Sequence, residues 1–192
     1  LFKQLGVAVN VVPMCNQSVS TQMQTDEGTL AFQDYFVRRR CVPVVSSYQF
    51  SDIEQATIQP DFAAGLADEA LAAVIICPSN PFVSVEPILS VPGVRAALKK
   101  TTAPVIAVSP IIGGQALKGP AAKMMNELGM TQSATAVAQH YGDLIDGFVI
   151  DSVDADLQGE IEALGVACIV AQSIMKTQQD KIDLANICID FA

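Results

Sequence analysis

A chain of 192 residues in which 51% are hydrophobic can bury a substantial core, so its composition excludes intrinsic disorder. The formal net charge of −9 argues against a general nucleic-acid-binding surface, although backbone amides and a few cations can still bind a small anion. Apolar runs such as LAAVIIC (71–77) are too short to cross a bilayer. Five widely spaced cysteines, without CxxC, favour a reducing cytoplasm and indicate neither zinc nor a disulfide framework.

The predicted elements alternate between strands and helices along the chain. In the first half, we predict strands at 7–14, 42–47 and 71–77, and helices at 29–39 and 61–70. In the second half, we predict strands at 103–109, 147–151 and 167–172, and helices at 92–98, 120–128, 133–141, 154–164 and 178–190. The helix boundaries follow from Pro92 in a first turn, Gly129 after a last turn and Ser133 as a cap.

The predicted strands are apolar on both faces, which is typical of a parallel sheet covered by helices. Their order predicts a single α/β domain with a doubly wound, mostly parallel, Rossmann-like sheet. The stretch 110–145 is predicted as a helical insertion over the carboxyl edge of this sheet. Ligands of such sheets bind beyond the carboxyl ends of the strands.

Three loops are expected to meet at that edge: CPSNP after the strand at 71–77, SPIIGGQALKGPAAK (109–123) after the next strand, and IDSVD (150–154) after a third. They offer short polar side chains, a Gly-Gly pair for close backbone approach, and a lysine before a helix that starts at Pro120. The set suits a phosphate or a diphosphate, and its members are Ser79, Asn80, Ser84, Ser109, Gly113, Gly114 and Lys118.

Each of these signals has a structural alternative. Prolines after a strand more often simply end it, a Gly-Gly pair is most often a turn, and a single lysine is most often solvated. The chain contains neither a Walker loop nor GxGxxG. The convergence of the loops at one sheet edge favours the functional interpretation.

Several other polar residues allow two interpretations. The run Arg38–Arg40 is either a favourable helix C-terminus or a phosphate clamp. His140, the only histidine, fits helix capping better than catalysis. Asp151 could bind a metal or a hydroxyl, whereas Asp146 fits a turn cap. The Met124–Met125 pair is more often core than a flavin contact.

Long stretches of the sequence resemble the 2-phospho-L-lactate transferase (CofD) family of coenzyme F-420 biosynthesis. The resemblance covers nearly the whole chain, and the block from Ser109 to Met125 is long and specific. The segments that carry it are TDEGTLAFQDYFVRRRC, SNPFVSVEPILSVPGVRAAL, APVIAVSPIIGGQALKGPAAKMMNELG, SATAVAQHYGDLIDGFVID and LGVACIVAQSIMKTQQDKIDLA.

This resemblance implies a reaction. A phospholactate or phosphoenolpyruvate group passes from a guanosine diphosphate ester to the terminal ribityl hydroxyl of the deazaflavin Fo, and GMP leaves. It further implies Mg²⁺ and a cytoplasmic homodimer. The net charge and the short apolar runs predict no nucleic-acid partner and no membrane partner. The residues named above form the nucleotide side, and the expected deazaflavin side comprises Thr25, Gly28, Gln33 and Tyr35.

The sequence departs from the family pattern in two ways. The family opens with a Gly-rich strand-turn and metal-binding aspartates that are not found here, so we expect a fragment that is inactive alone and holds no metal ligands. Where the family tends to carry Met-Thr-Asp-Asp, this chain has Met14-Cys15-Asn16-Gln17. Two alternatives therefore stay open: a non-catalytic nucleotide- or deazaflavin-binding homologue, and a sugar-nucleotide transferase on the same fold.

Overall fold

The computed structural model describes residues 4, 6, 8–116 and 119–192. Its strands are β1 (Ser20–Thr25), β2 (Gly28–Ala31), β3 (Val45–Ser51), β4 (Val74–Ile76), β5 (Val105–Val108), β6 (Ile111–Ile112), β7 (Gln115–Ala116), β8 (Gly147–Asp151) and β9 (Ala167–Ala171). Its α-helices are α1 (Pro60–Leu66), α2 (Glu86–Leu89), α3 (Val94–Lys100), α4 (Ala121–Glu127), α5 (Ala134–Tyr141), α6 (Gln158–Glu162) and α7 (Gln178–Phe191). Two π-helical turns, at Asp34–Arg38 and Pro81–Val85, lie between these elements.

The centre of the fold is a parallel four-stranded sheet with the order β4-β5-β8-β9. The central strands β5 and β8 are buried throughout, because apolar side chains leave both of their faces. One face packs on α7 through Ile106, Val149 and Leu184, and full burial of one such leucine contributes about 1.5–3 kcal/mol. The other face joins the main core with the remaining helices. The predicted α/β class, a parallel sheet covered by helices, is confirmed.

A second sheet was not predicted. β1, β2 and β3 form an antiparallel sheet with the order β2-β1-β3. β1 is polar and mostly half-buried, with Met23 as its one buried residue, so the sequence lacks the apolar run that would have marked a strand. The helix predicted at 29–39 is in part wrong, because its first residues belong to β2 and the helical part is the π-helical turn Asp34–Arg38.

One further strand prediction is wrong, and the predicted insertion differs in its first residues. In residues 8–14, the described part of the strand predicted at 7–14, the structure shows no strand, and Val9, Val11 and Val12 are exposed there. The stretch 110–145 contains α4 and α5 as predicted, but it opens with a short hairpin formed by β6 and β7. Within the described residues, none of the helices is both long and apolar enough to cross a membrane.

Gly147 allows α7 to approach the parallel sheet closely. A Cβ atom on Gly147 would lie 2.7 Å from Ile106 Cδ1 and 2.7 Å from Phe191 Cε1. Because both contacts are shorter than van der Waals separation, Gly147→Ala should lower the free energy of unfolding by about 1–3 kcal/mol.

Gly159→Ala is the matched control for this substitution, to be measured with it by urea unfolding. Gly159 lies in α6, and a Cβ there would meet nothing within 4 Å. This change should raise stability by about 0.5–1 kcal/mol. Equal unfolding midpoints for Gly147→Ala and the parent chain would show that the sheet–helix contact is not tight.

Candidate functional site

A cavity of about 570 Å³ lies at the carboxyl edge of the parallel sheet. The loops after β4, β5 and β9 contribute to it, together with the π-helical turns and the amino end of α4. Its polar lining residues are Gln33, Ser79, Asn80, Ser84, Ser109 and Ser173. Its apolar lining residues are Phe32, Phe36, Val37, Pro78, Val83, Pro110, Ile112, Gly119, Pro120, Ala121 and Met175. Its size is within the range typical of small-molecule sites.

The cavity brings together five of the predicted site residues, namely Gln33, Ser79, Asn80, Ser84 and Ser109. Gly113, Gly114, Thr25, Gly28 and Tyr35 do not line it. Lys118 lies outside the described residues, although Gly119, its neighbour in sequence, is on the cavity wall.

Asn80 explains the conformation of the loop that follows β4. Its Oδ1 accepts hydrogen bonds from the N–H groups of Phe82 at 2.9 Å and Val83 at 3.3 Å. Asn80 thus caps the π-helical turn Pro81–Val85, with Pro81 at its first position. This cap turns the chain sharply after the strand and keeps Ser79 and Ser84 on the same cavity wall.

Ser109 supports the wall beside it rather than presenting a free hydroxyl. It is 2% exposed. Its Oγ donates to the Ile111 carbonyl at 2.8 Å and lies 3.2 Å from the Ile111 nitrogen, whose N–H it accepts. Its own N–H donates to the Val149 carbonyl at 2.9 Å, which ties the loop to β8.

The apolar side of the cavity includes stacked aromatic rings that the sequence analysis did not identify. The rings of Phe32 and Phe36 have their centroids 5.4 Å apart and their planes 25° apart. Phe36 and Val37 are 42% and 65% exposed, so they present an apolar surface to solvent and to the cavity. Such a surface suits a flat conjugated ring.

The remaining residues of the predicted deazaflavin side lie in a turn or in the core. Thr25 Oγ1 donates to the Gly28 carbonyl at 2.8 Å within the turn between β1 and β2. Tyr35 has no exposed surface, and its burial raises the pKa of its phenol. A fully buried side chain cannot touch a ligand in this conformation, so of these residues only Gln33 reaches the cavity.

The described lining residues carry no charge. Two arginines of the run Arg38–Arg40 have acidic partners: Arg38 lies 3.2 Å from Asp34, and Arg39 lies 2.6 Å from Glu27. Lys123 pairs with Glu127 and donates to the Pro43 carbonyl at 2.8 Å. These pairings favour the structural interpretation of Arg38 and Arg39 over a phosphate clamp.

His140 contacts a charge cluster behind the cavity wall. Its Nε2 lies 3.5 Å from Glu86 Oε2, and its ring meets the Phe82 ring edge-on at 5.2 Å. Arg95 Nη2 donates to both Glu86 oxygens at 2.7 and 2.8 Å. Burial works to raise the pKa of Glu86, but His140 and Arg95 outweigh it, and the pKa is lowered.

Two aspartates lie at the ends of β8, and both have protein partners. Asp146 Oδ2 accepts the Val105 N–H at 2.8 Å, a bond across 41 positions that ties the amino end of β8 to β5; it is not the local turn cap predicted from the sequence. Asp151, 1% exposed, accepts from the Ser173 N–H at 2.9 Å and the Ser173 hydroxyl at 3.0 Å. Burial opposes ionisation of Asp151, but these bonds prevail and lower its pKa. Asp151 therefore holds the lining residue Ser173 rather than lining the cavity itself.

The sequence analysis missed the loop after β9. Ser173 and Met175 line the cavity because β9 ends at the same sheet edge as β4 and β5. The rule that ligands bind beyond the carboxyl ends of parallel strands would have identified this loop. No such rule points to Phe32 and Phe36, because they follow a strand of the unpredicted antiparallel sheet.

The described residues do not fit a magnesium site. No group of three or more carboxylates, cysteines or histidines among them could hold a metal ion. Magnesium prefers carboxylate and phosphate oxygens, and the described cavity lining has no carboxylate.

Comparison with known proteins identifies the family to which this chain is similar. Residues 1–184 match the family model described as 2-phospho-L-lactate transferase CofD. The 2-phospho-L-lactate transferase of Methanosarcina mazei is 36% identical over 189 residues, which cover 98% of this chain and 61% of that protein. The enzyme of the same name from Methanothermobacter thermautotrophicus is 39% identical over 187 residues, 97% of this chain and 59% of that protein. The phosphoenolpyruvate transferase of Kitasatospora aureofaciens is 37% identical over 191 residues, 96% and 58% respectively.

The chain thus spans about three fifths of the length of these relatives. A solved structure, protein BH3568 from Bacillus halodurans, matches with a TM-score of 0.65 and 16% identity over 97% of this chain and 64% of that one, which shows the fold alone. The family match and the identities over nearly the whole chain confirm the resemblance seen in the sequence: the chain belongs to the 2-phospho-L-lactate transferase (CofD) family.

Proposed function

We propose that this chain forms the substrate cavity of a transferase that moves a phospholactate or phosphoenolpyruvate group from a guanosine diphosphate ester to the deazaflavin Fo. The observation that carries the proposal is a single cavity with a polar wall beside an aromatic wall, in a chain of the CofD family. Relatives carry both transferase names, so the three-carbon acid stays open between the two.

The polar wall is proposed as the donor side. Ser79 and Ser84 lie on the wall that Asn80 shapes, and hydroxyl groups can donate to phosphate oxygens. Pro78 and Pro81 restrict this loop before a ligand binds, which reduces the entropy cost of binding. Gly119 and Pro120 also line this cavity.

The aromatic wall is proposed as the acceptor side. A deazaflavin ring is flat and apolar on both faces, and it would rest against Phe36 and Val37 while Gln33 offers its amide at the edge. This assignment replaces Thr25, Gly28 and Tyr35 as direct contacts, because those residues are held in a turn or in the core.

The proposed reaction is an in-line displacement at phosphorus. The ribityl oxygen of Fo forms a bond to the phosphorus that bears the three-carbon acid, and the bridging bond to GMP breaks. The hydroxyl proton is released, and GMP keeps the electron pair of the bridging bond. The chain contributes by holding the two substrates in adjacent parts of one cavity, which converts a bimolecular encounter into an oriented one.

The charge of the diphosphate is not neutralised by the described lining residues. Lys118 is proposed to supply one positive charge, since it lies in sequence directly before Gly119 on the cavity wall. Magnesium stays a prediction from the family resemblance, because the described cavity lining offers it no carboxylate. A homodimer likewise stays a prediction.

A non-catalytic binding homologue is the second candidate. The observation that favours it is the Cys15-Asn16-Gln17 segment, which carries no carboxylate. Gln17 bonds instead to Thr57, with its Nε2 2.9 Å from Thr57 Oγ1 and its Oε1 3.2 Å from the Thr57 nitrogen. Both candidates bind the same ligands, and they differ in whether a product forms.

We predict that Phe36→Ala weakens Fo binding and leaves GDP binding unchanged. Loss of the exposed ring removes stacking worth about 0.5–1.5 kcal/mol, which corresponds to roughly a two- to tenfold rise in Kd. Fo fluorescence reports the first affinity and calorimetry with GDP the second. The Fo affinity of Phe36→Leu should lie between those of the parent chain and Phe36→Ala. If Phe36→Ala leaves the Fo affinity unchanged, the aromatic wall is not the acceptor side.

We predict the converse for Lys118→Ala, which should weaken GDP binding and leave Fo binding intact. Loss of one charge-assisted contact costs about 1.5–3 kcal/mol, or roughly a ten- to 150-fold rise in Kd. Lys100→Ala is the matched control, because it removes the same charge at the exposed carboxyl end of α3. It should change neither the GDP affinity nor the Fo affinity. Calorimetry showing the same GDP affinity for Lys118→Ala and Lys100→Ala would exclude Lys118 from the site.

The test of the reaction itself is product analysis. The protein expressed from its complete reading frame should convert Fo and either the lactyl or the enolpyruvyl guanosine diphosphate ester into the matching phosphodiester and GMP, detected by mass spectrometry. Binding of both ligands without any phosphodiester would favour the non-catalytic homologue.

A further inference from the structure

The loop after β8 carries a second buried carboxylate whose role the reaction above does not use. Asp154 is 6% exposed and does not line the cavity. Both of its oxygens lie 3.0 Å from the nitrogen of Gly113, which donates its N–H to them. The two residues are separated by 41 positions in the chain, so this contact joins two distant loops at the sheet edge.

Gly113 and Gly114 form the tight turn between β6 and β7. Their φ angles are +56° and +72°, the left-handed values that a two-residue hairpin turn requires. A Cβ atom on Gly113 would lie 3.4 Å from Val153 Cγ1, so the turn rests directly on the loop that carries Asp154. The glycines therefore serve this packing and this turn, whereas the sequence had indicated close approach to a phosphate.

The hairpin leads on both sides to the cavity. Ile112, the last residue of β6, lines it, and Gly119 and Pro120 line it after β7. Ile112 directly precedes the turn, so a shift of the turn would move this wall position. The Asp154–Gly113 contact is thus placed to fix one wall of the cavity from behind.

The surroundings of Asp154 disfavour its charged form. Its burial raises its pKa, the Gly113 N–H offsets this only in part, and Asp151 and Asp156 raise it further. Burying a carboxylate whose charged form is disfavoured costs stability, and such local conflicts are expected mainly at functional or strained sites.

We propose that Asp154 is a positioning residue for the substrate cavity. Its carboxylate holds the Gly113–Gly114 turn against the loop after β8 and so fixes the wall formed by Ile112 and by Gly119–Pro120. The identity of the ligand that contacts this wall rests on the proposed function, which places the guanosine diphosphate group against it. The contact with Gly113 does not depend on that assignment.

The test compares Asp154→Ala and Asp154→Asn with Asp156→Ala in the 192-residue chain. Asp156 lies in the same loop and is exposed, so its loss removes a charge without removing the contact. Hydrogen exchange of the Gly113 amide should speed up by about tenfold or more in Asp154→Ala, because a charge-assisted hydrogen bond is lost. Asp154→Asn keeps one acceptor oxygen and should restore part of the protection, while Asp156→Ala should match the parent chain.

GDP affinity, measured by calorimetry, should follow the same order. We expect a rise in Kd of about fivefold or more for Asp154→Ala, a smaller rise for Asp154→Asn and none for Asp156→Ala. Unchanged Gly113 exchange in Asp154→Ala would overturn the proposal, as would faster exchange without any loss of GDP affinity. Faster exchange spread over all amides would show a purely structural role and would also overturn it.

Two further outcomes are distinguishable. If Asp154→Ala does not fold, Asp154→Asn becomes the test of the proposal. Its Gly113 amide must then exchange faster than in the parent chain without losing all protection, and its GDP affinity must be lower than that of the parent chain without being abolished. If the parent chain binds no GDP, the proposed function fails. Local loss of Gly113 protection in the Asp154 variants would in that case still support the positioning contact.

Discussion

The parallel register of β4, β5, β8 and β9 is the constraint on which the rest of the structure depends. Because these strands run in the same direction, their carboxyl ends lie at one edge, and the loops that leave them are brought together. Ile106 stands opposite Gly147 in this register, and the absent side chain there lets α7 cover the sheet. The cavity follows from this arrangement, since three of the four loops supply its lining.

Hydrogen bonds within the protein then shape those loops. Asn80 caps a π-helical turn, Ser109 braces the chain at Ile111, and Asp151 holds Ser173. Most of these polar groups are engaged with the backbone, so the described cavity presents hydroxyls and rings rather than charges. Such a wall orients substrates, and the charge of a diphosphate must be met by other groups.

Much of the architecture could be predicted, because buried parallel strands such as VIAV and GFVID leave an unambiguous apolar signal. Ser79, Asn80, Ser84 and Ser109 were placed at one edge by the same logic. The antiparallel sheet was not predicted because β1 is polar and mostly half-buried. The place of Phe36 on the cavity wall was missed for the same reason, since Phe36 follows that sheet in the chain. Gly113 was assigned to a ligand because sequence spacing cannot distinguish a turn held by Asp154 from a turn that holds a phosphate.

The most direct test of the central claim is a crystal structure of the chain with GDP and Fo bound together. The account predicts both ligands in the one cavity, with the diphosphate near Ser79 and Ser84 and the deazaflavin ring against Phe36. Ligands found at the opposite edge of the sheet, in the groove beside Lys100 and Thr101, would contradict it.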